Sequence, residues 1–104
     1  MRLIKRLNVI EDSKRFPEDI QDEVKVWCNI VESSNWRHLD DIRKTYKRSV
    51  DKVGNFLVFN IKDCRLIVGF NFKSQTFFYK YFLTHKEYDL KQLKKNPYFK
   101  KYKR

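Results

Sequence analysis

Three apolar, β-rich runs lie close together in the second half of the chain and limit the possible folds more than any other feature. They cover residues 56–61, 64–70 and 75–83 and are rich in Phe, Val, Ile and Tyr, which favour strands. The polar pairs Lys62-Asp63 and Lys73-Ser74 lie between them. Such short connections join only antiparallel neighbours. The sequence therefore predicts an antiparallel meander of three strands with two-residue turns.

Side chains alternate between the two faces of a strand, so this meander assigns each residue to a face. The predicted register pairs Asn60 with Arg65, Val58 with Ile67, Ile67 with Lys80, and Arg65 with Phe82. One face carries no charge and is expected to pack against helices: Leu57, Phe59, Ile61, Cys64, Leu66, Val68, Phe70, Phe77, Tyr79, Tyr81 and Leu83. The other carries Phe56, Val58, Asn60, Arg65, Ile67, Gly69, Phe78, Lys80 and Phe82.

Arg65 and Lys80 share this second face with aromatic side chains. The predicted register makes them diagonal neighbours about 7–8 Å apart, beside Gly69, which has no side chain. Two cations at that separation favour an anion between them, whereas the alternative is two solvated basic residues on an exposed sheet. A register slip of one residue would place them on opposite faces.

The first half of the chain predicts helices. After a short first strand, Leu3, Leu7 and Ile10 follow helical spacing. A second helix is the clearest local prediction, because Pro17 suits a first helical position and acidic residues follow it. Its apolar positions repeat at i, i+4, i+7 and i+11: Ile20, Val24, Trp27 and Val31.

A third, short helix is predicted from Leu39, Ile42 and Tyr46, after the second helix ends at Ser33-Ser34-Asn35. Residues 49–55 are then expected to form a loop. The predicted fold class is α+β, with N-terminal helices packed on one face of a mainly antiparallel β-sheet.

The charge of the chain is strongly positive and unevenly distributed. There are 24 Lys and Arg residues against 13 Asp and Glu, a net charge of +11. Residues 1–35 carry six basic and seven acidic side chains, residues 36–90 eleven and six, and residues 91–104 seven and none. Clustered cations attract a polyanion. Charge alone leaves RNA, DNA and anionic lipid open as partners.

The sequence also indicates where the protein works. Charged residues interrupt the N-terminal apolar stretch, so we expect no secretion signal, and no run approaches the length of a membrane helix. Two cysteines are too few for a disulfide framework. We therefore expect a reduced, cytoplasmic protein.

Three separated blocks resemble the HigB family of type II toxin–antitoxin toxins. They are Val58-Phe59-Asn60-Ile61, Cys64-Arg65-Leu66-Ile67-Val68, and Phe82-Leu83-Thr84-His85-Lys86-Glu87-Tyr88-Asp89. The resemblance covers about residues 1–90, which we assign to a RelE-like toxin domain, followed by a basic extension over 91–104. It implies a RelE-like fold, cleavage of mRNA on the ribosome, and inhibition by a HigA-type helix-turn-helix antitoxin.

The chain departs from the family pattern at three places. Lys80 stands where members usually carry Arg, Leu83 stands where many carry Gly, and Lys62-Asp63-Cys64 replaces a longer turn that contains Gly or Asn. Lysine lacks the bidentate fork of arginine, which weakens its hold on a phosphate.

The resemblance and the chemistry of RNA together indicate a site. RNA supplies its own nucleophile, the 2′-OH, so cleavage needs proton transfer and stabilisation of phosphate charge, and no metal or other cofactor is expected. His85 is expected to be the general base or acid, because imidazole exchanges protons near neutral pH. Arg65 would stabilise transition-state charge, with Lys80 as a second cation. Tyr88 could donate a proton, bind a phosphate or stack on a base.

Further residues are expected to contact RNA or to orient their neighbours. Asn60, Lys62 and Lys86 would contact RNA, and Asp89 would bind RNA or orient a neighbouring side chain. The sequence favours Asp89 as a helix N-cap for residues 90–95 over a role as a catalytic acid, because Asp before a helical turn satisfies free backbone amides. The basic tail 91–104, with Tyr98, Phe99 and Tyr102, suits added RNA or ribosome affinity and equally suits a disordered end.

Other chemistry and other functions are less well supported. Cys28, His38, Cys64 and His85 include no close pair of the kind that zinc motifs use. Glu23-Val24-Lys25 matches the Glu-x-Lys fragment of some metal nucleases, but it lies within the predicted amphipathic second helix and has no paired acidic strand. Two other functions remain open: a non-catalytic RNA- or ribosome-binding module of the same fold, and a structural or DNA-associated protein.

Overall fold

A computed structural model describes residues 1–91 and has an α+β fold, as predicted. The helices are α1 (Arg6–Ser13), α2 (Glu18–Ser33), α3 (Leu39–Tyr46) and α4 (His85–Lys91), with a 3₁₀ turn at Lys47–Ser49. The strands are β1 (Arg2–Ile4), β2 (Val50–Val53), β3 (Phe56–Ile61), β4 (Cys64–Asn71) and β5 (Thr76–Thr84). Within this described range they form one sheet in the order β1-β5-β4-β3-β2, in which β1 and β5 are parallel and the other neighbours are antiparallel. The basic tail, apart from Lys91, lies outside the described residues.

Helix α2 has the predicted amphipathic pattern. Pro17 precedes it, Glu18 and Asp19 occupy its first turn, and its four predicted apolar positions are buried. Acidic residues there interact favourably with the positive end of the helix dipole. The N-terminal amine also donates a hydrogen bond to the Val31 carbonyl at 3.0 Å, which holds β1 beside the end of α2.

The expected helical stripe near the N-terminus is wrong. Leu3 lies in β1 and is buried, whereas Leu7 lies in α1 and is 79% exposed. Val9 supplies the fully buried contact of α1 instead. The strand ends where Lys5 takes a positive φ of 67°, so residues 3 and 7 do not belong to one continuous helix.

The predicted loop over residues 49–55 contains strand β2, which is a second correction. Asp51 and Lys52 are exposed, and within residues 1–91 β2 pairs only with β3 and forms an edge of the sheet. Charged side chains are common on edge strands because they oppose pairing with another chain. Gly54 has a φ of 61° and begins the two-residue connection to β3, a position that favours glycine.

The β3–β4 hairpin agrees with the prediction. Lys62-Asp63 forms its two-residue connection, Asn60 pairs with Arg65, and Val58 pairs with Ile67.

The β4–β5 connection differs from the prediction. Residues 72–75 form a four-residue loop, so the two-residue turn at Lys73-Ser74 is wrong. In this loop the Asn71 side-chain oxygen accepts a hydrogen bond from the Ser74 N–H at 3.0 Å. Gln75 has a φ of 55° and donates its side-chain amide to the Trp36 carbonyl at 2.6 Å.

A β-bulge in β5 also changes the predicted faces. Ile67 pairs with Tyr81 and Val68 pairs with Tyr79, so Lys80 is the extra residue between these pairs. A bulge adds one residue to one strand, which reverses the alternation beyond it. Phe82 therefore packs in the helix-side core, and Tyr81 and Leu83 lie on the opposite face.

The main core lies between the sheet and α1–α3. Trp27, Phe59 and Phe77 meet at its centre with ring centroids 5.4–6.4 Å apart. We call the opposite side of the sheet the outer face. It carries a smaller buried cluster, made of Phe56, Val58, Ile67 and Leu83, against which Tyr81 and Tyr88 pack.

Candidate active site

Helix α4 begins directly at the end of β5 and carries two of the predicted site residues. The Thr84 hydroxyl accepts a hydrogen bond from the Glu87 N–H at 3.0 Å, and the Glu87 carboxylate accepts one from the Thr84 N–H at 2.9 Å. This reciprocal pair is a capping box. It fixes the helix start at His85, so the interpretation of Asp89 as the N-cap of residues 90–95 is wrong.

A long-range ion pair attaches the start of α4 to the α1–α2 connection. The Arg15 guanidinium lies 2.5 Å from Glu87 Oε1 and 3.3 Å from Oε2, and it also donates to the Phe82 carbonyl at 3.3 Å. The Arg15 hydrogen bond, followed by that of the Thr84 N–H, lowers the pKa of Glu87 to about 2. Glu87 is therefore ionised at neutral pH and connects two distant parts of the chain.

The aromatic neighbours of Arg15 continue this connection into the core. Its guanidinium carbon lies 4.5 Å from the centroid of the Phe16 ring. Phe16 packs edge-on against Phe82, with ring centroids 5.0 Å apart. Phe82 takes this inward position because of the bulge.

His85 lies at the exposed side of α4. Its imidazole Nε2 is 3.3 Å from Asp89 Oδ2, one helical turn away, and both side chains are more than half exposed. Its backbone N–H donates to the Asp63 carbonyl at 2.9 Å, which holds α4 against the β3–β4 turn. The imidazole thus has a carboxylate on one side and is accessible to solvent.

Tyr88 follows His85 by three residues, so the two side chains are neighbours on the helix surface. Tyr88 is half-buried against the outer-face cluster. Burial raises the pKa of Tyr88, the Asp51 charge raises it further, and the Arg65 guanidinium lowers it. The phenol therefore stays protonated at neutral pH and can donate a hydrogen bond.

Arg65 is the cation whose charge lowers the pKa of this phenol. It is half-buried in β4, opposite Asn60 on β3 and Leu83 on β5, and its Nη1 donates to the Cys64 carbonyl at 3.1 Å. The structure therefore brings together a guanidinium, a phenol, an imidazole and a carboxylate where β4, β5 and α4 meet.

Lys80 also lies on the outer face of the sheet, but beside Gly69 and farther along the strands from Arg65. The predicted register between Lys80 and Arg65 is wrong, because Arg65 pairs with Leu83 and the Ile67–Tyr81 pair lies between the two cations, so they are not diagonal neighbours. The Lys80 side chain instead extends over Gly69, with its Cε 3.7 Å from the position that a Gly69 Cβ would occupy.

The other predicted RNA contacts lie around this junction. Asn60 is half-buried opposite Arg65, and Lys86 is exposed on α4. Lys62 lies at the β3–β4 turn, with its Nζ 3.3 Å from Asp19 Oδ2 at the start of α2.

Sequence reasoning missed Arg15, Asp51 and Glu87. The pattern Thr84-x-x-Glu87 is a sequence signal for the capping box, but it carries no information about Arg15.

The cysteines are poorly suited to nucleophilic or metal chemistry, because the thiolate is the reactive form. Burial raises the pKa of Cys28 to about 11 and also raises that of Cys64. Within residues 1–91, no three His, Cys, Asp or Glu side chains are grouped so that they could hold a metal ion.

Comparison with protein families places the fold and the site in context. Residues 20–91 match the HigB_toxin family, described as the RelE-like toxic component of a toxin–antitoxin system. The chain belongs to this family. The matched segment runs from α2 to α4 and includes every predicted catalytic and RNA-binding residue. As a HigB-type toxin, the protein is expected to have an antitoxin partner. No curated protein matches the chain.

None of the helices in the described part of the chain is long and apolar enough to cross a membrane.

Proposed function

We propose that this toxin is an mRNA endoribonuclease that uses the RNA 2′-OH as its nucleophile. The observation that carries the proposal is the junction of β4, β5 and α4. There, the Arg65 guanidinium lowers the pKa of the protonated Tyr88 phenol, and the imidazole of His85, three residues earlier on α4, lies 3.3 Å from the Asp89 carboxylate. These are the groups that metal-independent phosphodiester cleavage requires.

In this proposal His85 and Tyr88 transfer the protons. One removes the proton of the 2′-OH, the 2′-oxygen attacks the adjacent phosphorus, and the other donates a proton to the departing 5′-oxygen. Asp89 lies at 3.3 Å from the imidazole and would orient it. Arg65 would bind the non-bridging oxygens, whose charge rises in the transition state.

The charge of the protein supports an RNA substrate. The net charge is +11, and clustered cations supply most of the salt-dependent affinity for phosphates. Lys62 and Lys86 flank the junction and would contact neighbouring phosphates, and Asn60 would contact RNA beside Arg65. Lys80 would hold a phosphate farther along the outer face.

The partners follow from the same proposal. We propose that the mRNA is cut while bound to the ribosome and that the inhibiting antitoxin is of the HigA helix-turn-helix type. Both molecules are encountered in the cytoplasm.

Mapping mRNA ends in cells after induction tests this proposal. The wild-type protein should create new 5′ ends and arrest growth, whereas His85→Ala should remove both effects. His38→Ala is the matched control, since His38 is the other histidine and is also exposed. New ends that persist in the His85 variant would contradict the assigned site.

One observation favours the alternative, a non-catalytic RNA- or ribosome-binding module. The bulge changes the register so that the Ile67–Tyr81 pair lies between Arg65 and Lys80, and the two cations are not the diagonal neighbours that the sequence predicted. In that case, induction would slow growth without creating new mRNA ends, and His85→Ala would leave the growth defect unchanged.

A further inference from the structure

A cleft at the far end of the outer face is separate from the Arg65–Tyr88 junction. Its volume is about 310 Å³, and its lining includes Asn55, Phe56, Gly69, Asn71, Phe78 and Lys80. This volume lies at the lower end of the range for ligand sites, about 300–1,000 Å³. The cleft is therefore suited to a small ligand or to one unit of a polymer.

Gly69 produces the hollow. It pairs with Phe56 on β3 and with Phe78 on β5, so it lies between two aromatic residues. A Cβ there would lie 3.8 Å from Phe56 Cε1 and 3.8 Å from Phe78 Cβ, ordinary contact distances. Any larger side chain would extend into the space that the cleft now provides. A glycine inside a strand often marks a close approach by a ligand.

The lining indicates the chemistry of the ligand. Phe78 is 41% exposed, although a large aromatic side chain gains by burial. Lys80 provides a positive charge at the same place, and Asn55 and Asn71 provide amide groups. An aromatic ring, amides and a cation match a planar heterocycle that carries hydrogen-bonding edges and lies next to a phosphate.

We infer that this cleft binds one unpaired base of single-stranded RNA, with Lys80 contacting an adjacent phosphate. The inference rests on the proposed function and adds a base-reading subsite to it. Gly69 is four residues from Arg65 along β4, a distance of about 13 Å. The base in the cleft therefore belongs to a nucleotide near the cleaved one, and its fit influences where the strand is cut.

Filling the cleft tests the inference. Gly69 has no positive φ, so Gly69→Val suits the strand and places two methyl groups in the hollow. Gly69→Ala adds one methyl that makes only ordinary contacts, so its effect should lie between that of wild type and Gly69→Val. Phe78→Ala removes the exposed ring, and Leu7→Ala removes an exposed apolar side chain elsewhere, on α1.

The measurement is fluorescence anisotropy of the full chain with a labelled 2′-fluoro RNA oligonucleotide, which lacks the attacking hydroxyl. Stacking energies predict that Gly69→Val and Phe78→Ala weaken binding by about 5- to 100-fold. The control variant Leu7→Ala should stay within about twofold of wild type, the usual range for surface changes. A duplex of the same sequence should not compete, and a free mononucleotide should compete only weakly.

Different results separate this inference from the proposed function. If both test variants bind the oligonucleotide as tightly as wild type, or if the duplex competes equally, the inference is wrong even where mRNA cleavage occurs. If the variants lose affinity while the wild type creates no mRNA ends, the subsite stands and the nuclease proposal fails. A melting curve identifies a misfolded Gly69→Val, and Phe78→Ala then decides.

Discussion

Replacing Glu87 by Gln tests how firmly the ion pair with Arg15 holds helix α4. Glutamine keeps the shape of the side chain and an oxygen acceptor for the capping box, so the substitution mainly removes the charge. The pKa of Glu87 is lowered from 4.5 to about 2. Without solvent screening, this shift would correspond to a contribution of about 3 kcal/mol to the free energy of unfolding. The two side chains are 49% and 40% exposed. Solvent screening therefore reduces the expected loss of unfolding free energy in Glu87→Gln to about 1 kcal/mol.

The pH dependence of this loss identifies its origin. A carboxylate whose pKa is lowered by folding stabilises the protein above its unfolded pKa of 4.5, and the contribution disappears as pH falls towards about 2. The difference in stability between wild type and Glu87→Gln should be complete at pH 6 and should shrink by more than half near pH 3.

Urea unfolding followed by circular dichroism measures this difference. At neutral pH the loss corresponds to a decrease in melting temperature of about 4–8 °C for a domain of this size. Glu11→Gln is the control, because Glu11 pairs with Lys14 in an ion pair that is far more exposed. A Glu87→Gln difference that is the same at pH 6 and pH 3, or no larger than that of the control, would refute the reasoning.

Three further substitutions test the core, a turn and the site. Leu66→Ala removes a fully buried side chain from the main core and should cost about 2–5 kcal/mol in urea unfolding; a loss below that range would show that the site collapses around the cavity. Gly54→Ala should lower the free energy of unfolding by about 1 kcal/mol, because Gly54 has a positive φ. Gly69→Ala should lower it by less, because Gly69 has no positive φ. Equal losses in the two variants would contradict the importance of the positive φ at Gly54. Arg65→Ala should slow mRNA cleavage by about 100-fold or more, with Arg65→Lys intermediate, and an unchanged rate for Arg65→Ala would exclude a role in the reaction.

Local patterns predicted those elements whose causes are local. Helix α2 was predictable because one apolar stripe and a preceding proline specify it. The β3–β4 hairpin was predictable because only two residues separate two clear strands, which leaves one register.

The remaining features depend on contacts between distant residues. The bulge at Lys80 has no sequence signal, since one extra residue in a strand leaves the composition unchanged, yet it exchanges the faces of Tyr81, Phe82 and Leu83. Strand β2 was missed because half of its residues are charged. Arg15 meets Glu87 across 71 intervening residues, which no spacing rule can anticipate.

In the candidate site, too, the features with local causes were predictable and those that depend on distant contacts were not. The block around His85 and Tyr88 could be selected from the sequence because its residues are close together in the chain. Their positions relative to Arg65 depend on the β4–β5 register and on the attachment of α4. The predicted diagonal position of Lys80 relative to Arg65 was wrong because the register changes at the bulge.

The chemistry of the cleaved RNA ends tests the central claim most directly. The purified protein would be added to a translating extract that contains one labelled mRNA, and the termini at each cut would be identified. Attack by the 2′-OH predicts a 2′,3′-cyclic phosphate on one fragment and a 5′-hydroxyl on the other. The His85→Ala variant should form neither of these two termini. A 3′-hydroxyl paired with a 5′-phosphate, or the absence of any cut by the wild-type protein, would contradict the account.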